Sequence, residues 1–445
     1  FFFLMTNIGV LVLGDIGRSP RMQYHVLSLA AEGYQVQFIG EVESEPRAEI
    51  AASPNISVVA LPRFQTSASA WRSRCGDKLG YLFYVMAKSI FFLCALFYTL
   101  MFRLKSPCRF LLVQTPPAVP VLGVAWLVAR LRRFPLIIDW HNYAYGLLAI
   151  SLGNRLNHPF VRLSLYFERF FGKRADGHFC VTKAMKHDLA QHWGVRNACV
   201  LYDRPPDFFR RSTLLEHHAL FSSEPLYSKL STHQDNKNLR ETLFTKKIEN
   251  EIILRPDRPA LIVSSTSWTK DEDFSILLDA IVQLEQYTAE TIRVDENPLQ
   301  FVFIITGKGP EKSFYEKKID ALALKHCRVL TAWLDAKYYP TLLGCADLGV
   351  SLHKSSSGLD LPMKVVDMFG CKTPVCAINF PCLNELVVHN HNGLVFDDAK
   401  QLAQQMYTLF NKFPTNPQQL HKLRSNIALP TWSSWYQQHA LVYLK

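Results

Sequence analysis

Short apolar, β-branched runs recur along the chain, each ended by a glycine or polar turn and followed by an amphipathic stretch. The first, Ile8-Gly9-Val10-Leu11-Val12-Leu13, stops at Gly14-Asp15-Ile16-Gly17, passes into a helix-period stretch over about 20–32, and is answered by Gln35-Val36-Gln37-Phe38-Ile39-Gly40. Strand, glycine turn, helix, strand is a βαβ unit. The pattern repeats at 110–114, with a helix after Pro120, and at 135–139. It reappears at 260–264, 301–306, 327–330, 347–351 and 374–378, with helices predicted near 274–287, 311–325, 337–344 and 362–369. Apolar strands alternating with helices imply parallel sheets covered on both faces. The fold class predicted is therefore α/β.

A chain of 445 residues exceeds what one core usually serves, and the two series of βαβ units divide it naturally. The expected organisation is a Rossmann-like lobe over 1–205, a second over 259–430, and a helix over 431–445 that returns to the first lobe. Between the lobes, 206–258 opens on Arg204-Pro205-Pro206 and is polar and irregular, which reads as a connection with a surface excursion.

One segment departs from the pattern. Residues 79–102 carry a single charge, Lys88, and are flanked by Arg72, Arg74 and Lys78 before and Arg103, Lys105 and Arg109 after. Length and hydropathy fit a membrane span. Spanning here, however, would separate the first two predicted strands from those at 110–139, which should share a sheet. A hydrophobic helix of the first lobe that dips into a membrane interface, its cationic ends on anionic head groups, fits better. The opening Phe1-Phe2-Phe3-Leu4-Met5 suits the tail of an anchor or a strand's lead-in equally.

The balance of 49 Lys and Arg against 38 Asp and Glu, a net charge of +11, favours an anionic partner. No helix-turn-helix signal or basic stripe interleaved with aromatics accompanies it, so nucleic acid is not the expected partner. Membrane surface and phosphorylated ligand remain. The ten cysteines are scattered without a CxxC pair, which suits reduced thiols in a cytosolic compartment.

The most informative stretch runs from Ser355 through Gly358-Leu359-Asp360-Leu361-Pro362-Met363-Lys364-Val365-Val366-Asp367-Met368-Phe369-Gly370 to Thr373-Pro374-Val375. Pro362 suits a first helical turn, and a helix is expected from near Asp360. Gly358 permits close backbone approach, and the helix start offers unpaired N–H groups to an anion. Lys364 is misplaced there by roughly 0.3–1 kcal/mol unless it faces one. A diphosphate is one candidate; the alternative is pairing with Asp360 and Asp367, which lie four before and three after it on the same helical face.

At these residues the chain resembles the GT-B glycosyltransferases, in which an acid before Met-Phe/Ala-x-Gly-x-Pro-Val holds the ribose hydroxyls; here it is Asp367. Thr306-Gly307-Lys308-Gly309-Pro310 is similar to their Gly-x-Gly-Pro turn, and 174–185 to the entry into the first lobe's last strand and helix. More closely, 13–25, Ile138-Asp139-Trp140-His141-Asn142-Tyr143, Tyr202-Asp203-Arg204-Pro205-Pro206, Ser265-Thr266-Ser267-Trp268-Thr269 and 358–370 resemble the chitobiosyldiphosphodolichol β-mannosyltransferases, inverting enzymes of the dolichol-linked N-glycan pathway. The resemblance implies two doubly wound lobes facing a central cleft and GDP-mannose as donor. It further implies dolichol-diphosphate-linked chitobiose as acceptor, the cytosolic face of the endoplasmic reticulum membrane, other mannosyltransferases as neighbours, and no cofactor or metal. The paired glutamates of retaining relatives are absent, since the first falls at Leu359 and the second becomes Asp367. Their phosphate-binding Arg and Lys fall near Ser267 and Glu272. Donor contacts are therefore sought in Ser265, Thr266, Ser267, Gly307, Gly309, Gly358, Leu359, Asp360, Lys364 and Asp367.

Inversion calls for a base near the acceptor hydroxyl. His141, at the C-terminal end of a strand, and Asp15, in the first glycine turn, are the candidates, although Asp15 also suits a helix cap. Arg18, Arg21 and His25 are the candidate acceptor contacts. Asp271-Glu272-Asp273 is read as a helix cap rather than a metal motif. His217-His218 and His389-Asn390-His391 lack the companions of a metal site.

Overall fold

A computed structural model describes residues 6–64, 77–224, 226–230, 240–269, 272–291, 299–355 and 357–444. The opening Phe1–Met5 stretch, Asp271 of the acidic triplet and Ser356 lie outside the described residues. The chain divides into two compact units, Phe1–Tyr202 with Tyr436–Lys445, and Asp203–Trp435.

The first unit is built on seven strands: β1 (Asn7–Asp15), β2 (Gln35–Glu41), β3 (Ile56–Ala60), β4 (Cys108–Thr115), β5 (Leu136–Trp140), β6 (Gly177–Cys180) and β7 (Cys199–Val200). They lie in the order β3-β2-β1-β4-β5-β6-β7, every pairing parallel. The strands read from apolar runs are present; β3, β6 and the two-residue β7 gave no comparable run, β6 being expected only from the resemblance at 174–185. All five residues of β5 are buried, as are β1 residues 8–12, consistent with helices on both faces.

The apolar segment forms a helix, Asp77–Tyr98, followed by a π-turn, Thr99–Arg103. It sits between β3 and β4 of one sheet, so it does not span a bilayer. Nor is it a core helix, because only 22% of its apolar window is buried, with Ile90 59% and Phe102 67% exposed.

The second unit carries β10 (Ala260–Ser265), β11 (Phe301–Thr306), β12 (Cys327–Ala332), β13 (Leu348–Ser351), β14 (Val375–Ile378) and β15 (Gly393–Phe396), in the order β12-β11-β10-β13-β14-β15, all parallel. Its core joins Ile262, Phe303, Leu348 and Phe396 of the sheet to Leu277 and Ile281 of the helix Ser275–Thr291 and Met406 of Ala399–Leu409.

The stretch 206–258 is not the irregular excursion its polarity suggested. It folds into helices Leu214–Phe221 and Leu226–Leu230 and an antiparallel hairpin of β8 (Thr245–Ile248) and β9 (Glu251–Leu254), all within the second unit. Thr213 and Glu216 form a capping box that starts the first helix, and Phe221 and Phe244, 2% and 0% exposed, pack in a tilted pair with ring centroids 4.6 Å apart. A few buried aromatics suffice to fix a segment whose other side chains are polar.

Candidate active site

In the second unit strand order reverses between β10 and β13, which are neighbours, and open parallel sheets bind ligands beyond the C-terminal strand ends at such a point. The loops leaving β10, β11 and β13 there hold seven of the ten donor residues expected from sequence, with Ser265 at the end of β10 and Lys364 and Asp367 on the helix Met363–Gly370. Gly307, at φ +132°, and Gly309 are required by loop packing, since a Cβ would collide with the carbonyl oxygens of Thr266 and Ser267 respectively. Gly358 takes φ +71°, turning the chain so that Leu359 N–H reaches Ser355 Oγ at 3.2 Å and Ser357 Oγ at 3.3 Å.

The helix begins at Met363, with Pro362 as its N-cap, one residue inside the predicted 362–369 and three past a start near Asp360. Asp360 is thus outside it, and the anticipated pairing of Lys364 with Asp360 and Asp367 does not occur. Lys364 Nζ instead donates to Glu272, ninety-two residues away in sequence. Glu272 is the hub of the site: its carboxylate, 3% exposed, also accepts from Thr266 Oγ1 at 3.0 Å, Ser267 N at 2.7 Å and Ser267 Oγ at 2.9 Å. Burial opposes its charge, but His353, Lys364 and the Ser267 N–H outweigh burial and hold its pKa well below the usual carboxylate range.

His353, which sequence reading overlooked, lies between two carboxylates, with Nδ1 3.5 Å from Glu272 and Nε2 3.8 Å from Asp360. Burial works against the imidazolium, yet these two anions raise its pKa to about 9. Asp360, which accepts from Ser355 Oγ and from Ser357 Oγ at 3.2 Å, is held low: its burial is outweighed chiefly by His353 and Ser355. The loop is therefore an alternating set of two cations and two anions, with Lys364 still 28% exposed and two of its three ammonium donors unused among the described residues.

Thr266 is corrected from donor contact to strut. It is 4% exposed, and its hydroxyl donates to Glu272 while accepting from Trp268 N at 3.1 Å. Ser267 stays exposed; Ser265 Oγ lies 3.0 Å from Tyr339 Oη and receives Thr306 Oγ1 at 3.0 Å. Asp367 contrasts with its neighbours. No side-chain or backbone donor reaches its carboxylate among the described residues, and burial, reinforced by the charge of Asp203, pushes its pKa up to about 8.

In the first unit the reversal falls between β1 and β4. Asp15 ends β1 and accepts from Gly17 N at 3.2 Å, Glu43 N at 3.1 Å, and the Ser44 backbone and hydroxyl. Burial is overcome by these donors, Ser44 foremost, and the pKa falls to about 2. A carboxylate so engaged is a poor base at neutral pH, so Asp15 is a turn cap rather than a proton acceptor. Arg18 stays accessible, its side chain 77% exposed and 3.4 Å from Asp15.

Arg21 and His25 are corrected too, because both are interior. Arg21 Nε and Nη2 each meet Asp139 at 2.8 Å, and Nη1 donates to the Leu201 carbonyl at 2.8 Å. His25, 0% exposed, lies 3.0 Å from Asp139 through Nε2 and 3.1 Å from Tyr436 Oη through Nδ1. Neither side chain presents a face to an acceptor. Burial depresses the pKa of His25, whereas Asp139 is held well below its ordinary range despite burial, by Arg21 and His141.

His141 is the third partner of Asp139, its Nε2 2.8 Å from Oδ2 and its side chain 21% exposed. Donating from Nε2 leaves Nδ1 as the basic nitrogen, with no partner among the described residues. A carboxylate that fixes tautomer and ring orientation is what a histidine base needs. In sequence Asp139 stood only within the 138–143 resemblance; the signal that could have found it is an acid in an apolar strand, a charge that must find a buried partner.

Comparison with known proteins agrees with this architecture. Residues 17–202 match the glycosyl transferase 4-like domain and 258–412 the glycosyl transferases group 1 family. The chain is 46% identical to the Arabidopsis thaliana UDP-glycosyltransferase TURAN, over 96% of this chain and 93% of that protein. It is 43% identical to the human chitobiosyldiphosphodolichol beta-mannosyltransferase, over 95% and 88%, and 36% identical to the Candida glabrata protein of that name, over 98% and 91%. Among solved structures, Anabaena HepE with UDP-glucose aligns with a TM-score of 0.64 at 14% identity, covering 98% of this chain and 99% of that one. A Rickettsia africae glycosyltransferase aligns at 0.63 and 11%, covering 99% and 98%. These likenesses establish the GT-B fold. On the identity shared along almost its whole length, the chain belongs to the chitobiosyldiphosphodolichol β-mannosyltransferase family of glycosyltransferases.

Proposed function

We propose that the protein transfers mannose from GDP-mannose to chitobiosyl-diphosphodolichol, with inversion and without a metal, at the cytosolic face of the endoplasmic reticulum membrane, beside other mannosyltransferases of the pathway. The observation that carries the reading is the 43% identity, across 95% of the chain, to the human protein that bears that activity in its name.

The chemistry is a single displacement. The acceptor hydroxyl oxygen attacks the anomeric carbon, the bond from that carbon to the diphosphate oxygen breaks, and GDP leaves. His141 Nδ1 takes the hydroxyl proton, and Asp139 stabilises the imidazolium that results. Lys364, the N–H groups at the start of Met363–Gly370 and the exposed Ser267 neutralise charge on the leaving diphosphate. Asp367 takes the ribose hydroxyls, the missing donors to its carboxylate. Arg18 is the remaining candidate for the acceptor's diphosphate.

The name of the Arabidopsis relative raises one competing reading, a uridine-diphosphate donor. Purified protein incubated with a chitobiosyl-diphospho-lipid and either GDP-mannose or UDP-sugars separates the two. A product released by β-mannosidase, formed only with GDP-mannose, is the expected result. Transfer from a UDP-sugar, or no β-linked mannose while a control enzyme turns over, refutes the proposal.

A further inference from the structure

The residues from 144 to 174 form a helical pair, Ala144–Ser151 and Pro159–Gly172, that pack on each other. The second helix has two unlike faces. Val161, Ser164, Glu168 and Gly172 are buried, whereas Phe160, Leu163 and Tyr166 are 66%, 61% and 67% exposed. Leu147, Ile150 and Leu156 extend the apolar exposure over the first helix and the intervening loop, at 40%, 46% and 60%. Scattered exposed apolar residues need no explanation; six on one helical pair do.

Charge identifies what covers them. Arg155, Arg162, Arg169 and Lys173 are exposed on the same segment, and its one acid, Glu168, is 0% exposed. That carboxylate points inward, accepting from Ala144 N at 2.9 Å, Tyr145 N at 3.2 Å and Thr115 Oγ1 at 3.4 Å, and burial, which outweighs those donors, raises its pKa to about 7. Residues 144–174 therefore present aromatic and aliphatic groups interspersed with cations and no exposed acid, and Asp176 just beyond them is paired with Arg130. A helix that lies in a bilayer interface has this composition. A protein partner would have to supply unpaired acids around an apolar centre; anionic lipid supplies both. The pair also packs on the helix Val121–Arg132, which packs in turn on the exposed apolar helix Asp77–Tyr98, so the two apolar elements are linked through one intermediate helix.

We propose that the Ala144–Gly172 helical pair is a second membrane-contact element of this protein, docking on an anionic bilayer surface through Phe160, Leu163 and Tyr166 with Arg162 and Arg169 on the head groups. It extends the reading of a lipid-linked acceptor, from which it takes its biological sense.

The test is titration of the protein with vesicles of phosphatidylcholine alone or with phosphatidylserine added, comparing the parent chain with Arg162→Gln/Arg169→Gln and Leu163→Ser. The parent should partition onto anionic vesicles more strongly than onto neutral ones, the more so at low salt. The arginine pair should weaken anionic partitioning by about tenfold or more, and Leu163→Ser should weaken both, with circular dichroism unchanged. Partitioning equal to the parent's in both variants overturns the proposal, as does a parent dimer that either variant dissociates, which would make a second copy the occupant. Transfer to a water-soluble chitobiosyl-diphosphate acceptor is measured alongside. Retained transfer with unaltered vesicle binding defeats the docking surface alone; vesicle binding as expected without any transfer defeats the catalytic reading alone.

Discussion

Asp139→Asn tests the centre of the first unit and its chemistry together. Asp139 is 0% exposed and shares its carboxylate among Arg21, His25 and His141, with Arg21 itself 5% exposed. An amide cannot balance the guanidinium and turns an N–H group toward one of its three donors. Removing one partner of a buried ion pair costs ~3–5 kcal/mol. For a unit of this size, at ~2–4 °C per kcal/mol, the melting transition should fall by on the order of 10 °C by scanning calorimetry. The same change releases the His141 tautomer, so transfer measured well below the lowered transition should drop by about 10²–10⁴-fold. The double variant Arg21→Met/Asp139→Leu, which removes both charges, should recover part of the stability and none of the activity. A transition within about 2 °C of the parent would refute the buried-pair argument. Full stability loss with undiminished turnover would remove His141 from the chemistry.

In the second unit, Lys364→Ala should raise the KM for the sugar nucleotide at least ~tenfold while shifting the melting transition only slightly, because Glu272 keeps its bonds to Thr266 and Ser267. Comparable losses in binding and stability would make the lysine structural. Asp367→Asn should do the opposite to the two properties: nucleotide affinity falls, measured by calorimetric titration with GDP, while the unliganded protein gains about 1–3 kcal/mol at neutral pH, because an amide is spared the proton uptake that folding imposes on a carboxyl raised to about 8 by burial and Asp203. For the pH dependence, the folded state raises His353 to about 9, above the ordinary imidazole value of ~6.5. Its contribution is complete below ~pH 6.5 and is lost as pH rises through 9, so His353→Gln should flatten the fall in denaturant stability over that window. An unchanged slope would show that the imidazolium is not shared between Glu272 and Asp360.

What could be read from sequence alone was local in origin. Apolar runs gave strands and their alternation with helices gave two parallel sheets, because neighbours along the chain decide periodicity. Gly358 and Lys364 stood out for the same reason, each being marked beside a helix start, while Asp367 was picked out by the resemblance of the Met-Phe-x-Gly stretch that follows it. Even there the partner of Lys364 was not a helix neighbour but Glu272, a loop residue ninety-two positions away. The tertiary structure decided whatever depended on residues far apart in sequence. Strand order placed Glu272 against Lys364, Asp139 against Arg21 across 118 positions and His25 against Tyr436 across 411. Those pairings removed Arg21 and His25 from the ligand contacts, whereas Thr266 meets Glu272 and His141 meets Asp139 over only six and two residues. Packing likewise decided which face of Pro159–Gly172 turns outward. A buried charge or an exposed apolar group is defined by what surrounds it, and only the folded chain supplies those surroundings.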